Sequence, residues 1–327
     1  MRLRARFTTL AVALLAVGSS AVLVGCGSDG PGSQAANATA SSKTPHIVPA
    51  EVHDYLQEHE FGTYHLYFHS ARHYFIGGEE LRSWLDEQHE QYADLQEGDP
   101  GSGIEFLTMH RAMIEHLREK FGSVRVENDT EYETFSDVLD GWKTDDAVMA
   151  AIKKHSTSKS AALAAFPDAA KRIGDYASFA TEDEFGIFLQ TRLRLGEADP
   201  NDSFQRNYDR DSSVGAGTHN RMHGWFADDR SPIDVGDPGA NLSNKLFWGI
   251  HGWIDAKWQG FEAAHERTAE EQQTYDDLME KFGLHFQIHS HDITPPPRDN
   301  AFAKATFNEV DCENLAQGTT LEGCPQP

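Results

Sequence analysis

Three histidines in the second half of the chain have the spacing of metal ligands. His219 and His223 are four residues apart, so on a helix their imidazoles project from one face and can reach a single ion. His251 lies in a second helical segment and can supply a third imidazole, with Asp255 one turn further on. Neutral imidazoles suit copper, zinc, iron or nickel, and a nearby carboxylate can orient a ligand ring. The spacing therefore predicts a metal site with three imidazole ligands.

The residues around these histidines resemble the second copper motif of the type-3 copper proteins, which are the tyrosinases, catechol oxidases and haemocyanins. That motif reads H-N-x-x-H and then F-x-x-H-H-x-x-x-D-x-x-W, with the second histidine of the doublet as the ligand. Residues 219–223 and 247–258 match it, except that Ile250 stands in the first position of the doublet. By this resemblance, the copper ligands are His219, His223 and His251, and Asn220 and Asp255 are the residues that surround and orient them.

An upstream segment resembles the first copper motif of the same family, which ends in F-L-P-W-H-R. Residues 106–111 read F-L-T-M-H-R and match it apart from the central pair, which makes His110 an expected ligand. Residues 84–89, W-L-D-E-Q-H, resemble the helix that carries an earlier ligand, and this assigns His89. The family has one further histidine at this copper, and residues 96–103 contain none.

The sequence leaves the third ligand of the first copper open. His65, His69 and His73 recur every four residues on one helix, and the interpretation that we favour is a polar edge of that helix. The alternative is that one of them, His73 first and His69 next, completes the first copper site. Glu105 or Asp99 could do so instead, although oxygen ligands suit copper less well than imidazole does.

The resemblance also implies a function. Members of the family hold two copper ions between helix pairs and oxidise phenols or catechols with dioxygen. The expected cofactor is therefore copper, two ions if the first site is intact and otherwise one, and the expected partners are a small phenolic substrate and dioxygen. The alternative is a catalytically inactive copper-binding or structural lipoprotein of the same fold.

Apolar residues recur at helical spacing through most of the chain, and alternating, strand-like runs are scarce. We therefore expect an all-α, mainly helical fold, with a tyrosinase-like four-helix-bundle core and long loops, over residues 46–310. Residues 181–184 and 268–271 are capping boxes, each of which predicts the start of a helix. Gly283 predicts the end of the second of these helices.

The N-terminus has the features of an export signal. Three arginines precede an apolar run over residues 10–17, and residues 23–26, L-V-G-C, resemble a bacterial lipobox. We expect residues 1–25 to be a lipoprotein signal peptide, Cys26 to be lipidated and residues 26–45 to form a disordered tether. An ordinary signal peptide is the alternative. The protein is expected in the bacterial cell envelope, outside the cytoplasm and attached to a membrane by its lipid alone.

The net charge limits the kinds of partner that the protein could bind, and the cysteines bear on its compartment. The formal net charge is −24, and removing residues 1–25, with three arginines and no acid, takes it to −27. So acidic a surface argues against nucleic acid and against anionic lipid headgroups as partners. Once Cys26 is lipidated, Cys312 and Cys324 remain, and outside the cytoplasm such a close pair most often forms a disulfide. We expect this disulfide in a C-terminal tail, residues 311–327.

Overall fold

Ten α-helices make up most of the described part of the chain, which contains no strand beyond two isolated bridges. The prediction of an all-α fold is confirmed. None of the described helices combines the length and the apolar character needed to cross a bilayer. In chain order, the helices are α1 (Ala50–Glu58), α2 (Phe61–Arg72), α3 (Ser102–Phe121), α4 (Phe135–Asp140), α5 (Asp145–His155), α6 (Lys159–Ile173), α7 (Glu182–Thr191), α8 (Thr218–Phe226), α9 (Lys245–Ala264) and α10 (Ala269–Ile288).

The structure is a computed structural model, and it describes residues 46–72, 93, 95, 97–127, 129–191, 217–228 and 231–288. Some predicted features lie outside these residues, and the predictions for them stay predictions. They are His73, His89, Cys26, Cys312 and Cys324, together with the segments 1–25, 26–45 and 311–327.

Side-chain caps explain where the helices begin. At α7, the Thr181 hydroxyl accepts a hydrogen bond from the Glu184 backbone N–H at 3.1 Å. At α10, Thr268 and Glu271 exchange two such bonds, of 2.8 and 3.2 Å. Asn244 caps α9 through its side-chain oxygen. Both helix starts predicted from capping boxes are confirmed.

The predicted end of α10 is wrong, because the helix continues through Gly283. Phe282 and Phe286 lie on either side of this glycine in sequence, and both are buried. Their rings pack on those of α2, with centroids 5.9 Å apart for Phe282 and Phe68 and 5.1 Å apart for Phe286 and Phe61. Burial of two phenylalanines stabilises by more than the roughly 1 kcal/mol that a glycine costs inside a helix.

α3 and α7 cross at a pair of glycines, which brings their backbones into contact. A Cβ on Gly103 would lie 2.0 Å from the carbonyl oxygen of Asp183, and one on Gly186 would lie 2.3 Å from the carbonyl oxygen of Gly103. The Asp183 carboxylate also accepts from the Gly103 N–H at 2.8 Å. Since α3 carries His110, this crossing sets the position of one candidate ligand.

Gly103→Ala is therefore expected to lower the free energy of unfolding by about 1–3 kcal/mol, because the new methyl meets backbone atoms that cannot rotate away. Gly283→Ala is the matched control, since a Cβ at this helical glycine has no atom within 4 Å. The control should raise the free energy of unfolding by about 0.5–1 kcal/mol. Urea denaturation followed by circular dichroism measures both, and effects of the same sign would contradict the close crossing.

Candidate metal centre

Six histidine side chains converge at the centre of the described helices. They come from four helices: His65 and His69 from α2, His110 from α3, His219 and His223 from α8, and His251 from α9. Four of these residues are at most 3% exposed, while His69 and His223 are partly exposed. Imidazoles so far from water need partners other than solvent.

The first group consists of His65, His69 and His110. The Nε2 atom of His65 lies 3.1 Å from that of His69 and 3.3 Å from that of His110. Nitrogens that each bond one metal ion at about 2 Å are separated by about 3–3.5 Å, so the group has the dimensions of a ligand set. Of its members, His69 and His110 are among the ligands predicted from the sequence.

The second group consists of His219, His223 and His251, as the spacing predicts. The Nε2 atom of His223 lies 3.1 Å from that of His219 and 3.3 Å from that of His251. The structure thus brings the three imidazoles of the second motif around one point. Metal binding by this group stays a prediction.

The two groups are adjacent. The rings of His110 and His251 are stacked, with centroids 4.1 Å apart and an interplanar angle of 8°, and those of His69 and His219 are 5.7 Å apart at 18°. One ring nitrogen each of His110, His219 and His251 lies within 4.8 Å of the others. The two groups therefore form one continuous set of imidazoles, which would hold the ions if both groups bind metal.

Hydrogen bonds to the outer nitrogens set the orientation of four rings. The Nδ1 atom of His65 donates to the carbonyl of Pro238, and that of His110 donates to the carbonyl of Phe106. The Nδ1 atom of His219 donates to the side-chain oxygen of Asn220, and that of His223 donates to the carbonyl of Val235. All four distances are 2.8–2.9 Å. An oxygen of this kind accepts but does not donate, so Nδ1 carries the proton of the neutral ring. Each Nε2 then presents a lone pair to the centre. Asn220 contacts the ring of His219 in this way, and its role beside a metal stays a prediction.

The short Nε2–Nε2 distances bring lone pairs face to face. In the pairs His65–His110 and His219–His223, both rings have their proton on Nδ1 and none to share between the inner nitrogens. A second proton is disfavoured, because burial lowers the pKa of His65 to about 3 and that of His223 to about 4. A metal cation between the nitrogens removes this repulsion, so the donor set fits a metal ion.

Phe106 and Phe247 surround the histidines with apolar surface. Each phenylalanine contacts a histidine of both groups. The centroid distances are 4.7 and 4.8 Å from Phe106 to His110 and His219, and 4.2 and 5.2 Å from Phe247 to His251 and His65. Such a shell keeps water from the centre and lowers the local dielectric, which affects the redox behaviour of any bound metal.

Asp255 does not orient an imidazole, so this prediction is corrected. Its carboxylate accepts from Arg111 Nε and from Gln259 Nε2, both at 2.7 Å. Arg111 follows the candidate ligand His110 in sequence, and its guanidinium lies 3.5 Å from the ring centroid of Trp258. The ion pair of Asp255 with Arg111 therefore joins α9 to α3, next to the residues of both motifs.

Glu105 is not a ligand either. Its carboxylate pairs with Arg72 at 2.6 Å, and both residues are buried. Asp99 precedes α3, where its backbone carbonyl accepts from the Ser102 N–H at 3.0 Å. Among the described residues, the groups able to hold a metal contain histidine alone. His65, rather than either carboxylate, is the third member of the group that contains His69 and His110.

His65 is the candidate ligand that the sequence interpretation missed. The favoured interpretation of the α2 histidines as a polar edge is wrong for this residue, which is 1% exposed. One signal in the sequence could have identified it. His65 and His69 have the same four-residue spacing as His219 and His223, so each group of three has a helical histidine pair and one histidine from another helix.

Comparison with models of known protein families finds no match, and no curated protein matches the chain significantly. The likeness to type-3 copper proteins therefore stays a resemblance of the motifs around His110, His219 and His251.

Proposed function

We propose that the protein binds two copper ions, one in each group of three histidines, and oxidises small phenols or catechols with dioxygen. The observation that supports this most strongly is the convergence of six imidazole nitrogens in two adjacent groups. The resemblance of the two motifs suggests the metal and the reaction.

The donor set fits copper, and it is the resemblance of the two motifs that favours copper over the other metals that bind imidazole. Carboxylate-rich sites suit magnesium, calcium or manganese, and two carboxylates considered for roles at the site, those of Glu105 and Asp255, are paired with arginines. Six neutral ligands add no negative charge, so a singly charged cuprous ion costs less to bury than a doubly charged ion. Zinc would fit the imidazoles but has no redox chemistry to offer.

When bound, the copper pair supplies the electron transfer between dioxygen and the phenol. The protein positions four of the ligand rings through their Nδ1 hydrogen bonds and excludes water with Phe106 and Phe247. His251 is covered by His110 at 4.1 Å and by Phe247 at 4.2 Å between ring centroids, so it has no face for a substrate. A phenol would reach the centre beside His69 or His223, the two histidines of the set that are partly exposed.

His65 weakens the case for an inactive relative. Two features favoured that alternative, the missing third imidazole at the first site and the Thr-Met pair before His110, and His65 offers an imidazole 3.3 Å from His110. The cell-envelope location and the lipid anchor at Cys26 remain part of the proposal, and they place the oxidase outside the cytoplasm.

Full-length protein reconstituted with cuprous ions in the absence of air is expected to bind two coppers per chain and then to oxidise catechol in air. Elemental analysis after desalting gives the stoichiometry, and absorbance of the quinone gives the rate. One copper per chain without catechol oxidation would favour the copper-binding alternative. No bound copper would refute both of these and leave the structural lipoprotein.

A further inference from the structure

One loop between α8 and α9 contacts both groups of histidines. The carbonyl of Val235 accepts from His223 Nδ1 at 2.9 Å, and the carbonyl of Pro238 accepts from His65 Nδ1 at 2.8 Å. We propose that this bridging loop, residues 234–239, positions one ligand of each copper ion and thereby couples the two metal sites. The inference rests on the proposed function, since it concerns the same six histidines.

Hydrogen bonds within the bridging loop hold its two carbonyls in place. The Asp234 carboxylate accepts from the Gly236 N–H, and the Asp237 carboxylate accepts from the Gly239 N–H, both at 2.9 Å. The side chain of buried Asn241 donates at 3.3 Å to the same carbonyl that orients His223. These bonds make the loop a short rigid unit, so its two acceptors move together.

The bridging loop also sits directly on α2. A Cβ on Gly62 would lie 2.0 Å from the carbonyl oxygen of Gly239. Gly62 is one helical turn before His65, so this close contact sets the distance between the loop and the first ligand group. A methyl group at this position must push the loop away from α2, because backbone atoms cannot turn aside.

A displaced loop would release one ring in each group, whereas other outer-shell contacts are local. His219 donates to Asn220, its neighbour on α8, and His110 donates to Phe106 on α3. Loss of an outer-shell partner typically lowers metal affinity by about 10–100-fold. Disturbing the bridging loop should therefore weaken the binding of both copper ions, and disturbing Asn220 should weaken the binding of one.

Competition of the full-length protein with a chromophoric cuprous chelator measures the affinity for each ion. Gly62→Ala and Asp234→Ala are expected to lower the affinity for both copper ions by about 10-fold or more, and Asn220→Ala is expected to lower the affinity for only one. Asp234→Asn, which keeps an acceptor oxygen, should recover most of the affinity. Gly283→Ala is the control with unchanged binding. Loop variants that weaken one ion only, or neither, would overturn the inference.

A measurement on metal-free protein separates this inference from the proposed function. Nitrogen NMR of the imidazoles is expected to show His65 and His223 with the proton on Nδ1, and Gly62→Ala should perturb both rings together. A change confined to one ring would overturn the coupling even if two coppers bind. If the wild type binds no second copper, the proposed function fails, and the NMR result still decides whether one loop holds both rings.

Discussion

His65→Ala is expected to lower the bound copper from two ions per chain to one and to abolish catechol oxidation. The Nε2 atom of His65 is the one that lies 3.1 Å from that of His69 and 3.3 Å from that of His110. Losing a direct ligand should cost more than the roughly 10–100-fold in affinity that an outer-shell partner is worth. Elemental analysis after desalting, with the oxidation rate measured on the same sample, tests this.

His116→Ala is the matched control, because His116 lies on α3, the helix that carries His110, and is bonded to a tyrosine rather than to the centre. Its Nε2 is 2.8 Å from the hydroxyl of Tyr55. This variant should keep two coppers and the full rate, and His69→Ala should behave like His65→Ala. If His65→Ala keeps both ions and the activity, His65 is a packed core residue and another donor completes the first site.

Arg72→Ala is expected to lower the free energy of unfolding by about 3–5 kcal/mol, the usual cost of leaving a buried charge without its partner. Arg72 is fully buried and donates to the Glu105 carboxylate at 2.6 Å, to the Ser102 carbonyl at 2.6 Å and to the Gln190 side chain at 2.9 Å. It thereby ties α2 to α3 and α7. After its loss, Lys281, 3.9 Å from Glu105, is too far away to replace three direct bonds.

Two variants define the cause of that loss, and urea denaturation measures all of them. Arg118→Ala removes a partly exposed partner of Asp140 and should cost at most about 1 kcal/mol. The double variant Arg72→Met with Glu105→Leu removes both buried charges and should recover most of the stability. A cost for Arg72→Ala no larger than that for Arg118→Ala would show that the buried pair contributes little.

The sequence by itself determined the features that depend on a single helix. His219 and His223 share a face because residues four apart on a helix always do, and the structure brings His251 to them. Thr181 and Thr268 start helices because a cap is made with backbone a few residues away. Local hydrogen bonds and helical periodicity do not depend on the rest of the fold, so they can be predicted from the chain alone.

Only the tertiary structure decided which groups meet across helices. Periodicity placed His65 and His69 on one face of α2, but it could not say that this face meets α3 and α8. The carboxylate of Asp255 has the right spacing to orient a ligand, yet Arg111, 144 positions away in the chain, takes it. α10 passes Gly283 because burial of distant aromatic rings outweighs a local preference. Which partner a buried charge or ring finds is decided by packing between distant segments, and the sequence pattern of one segment does not contain that information.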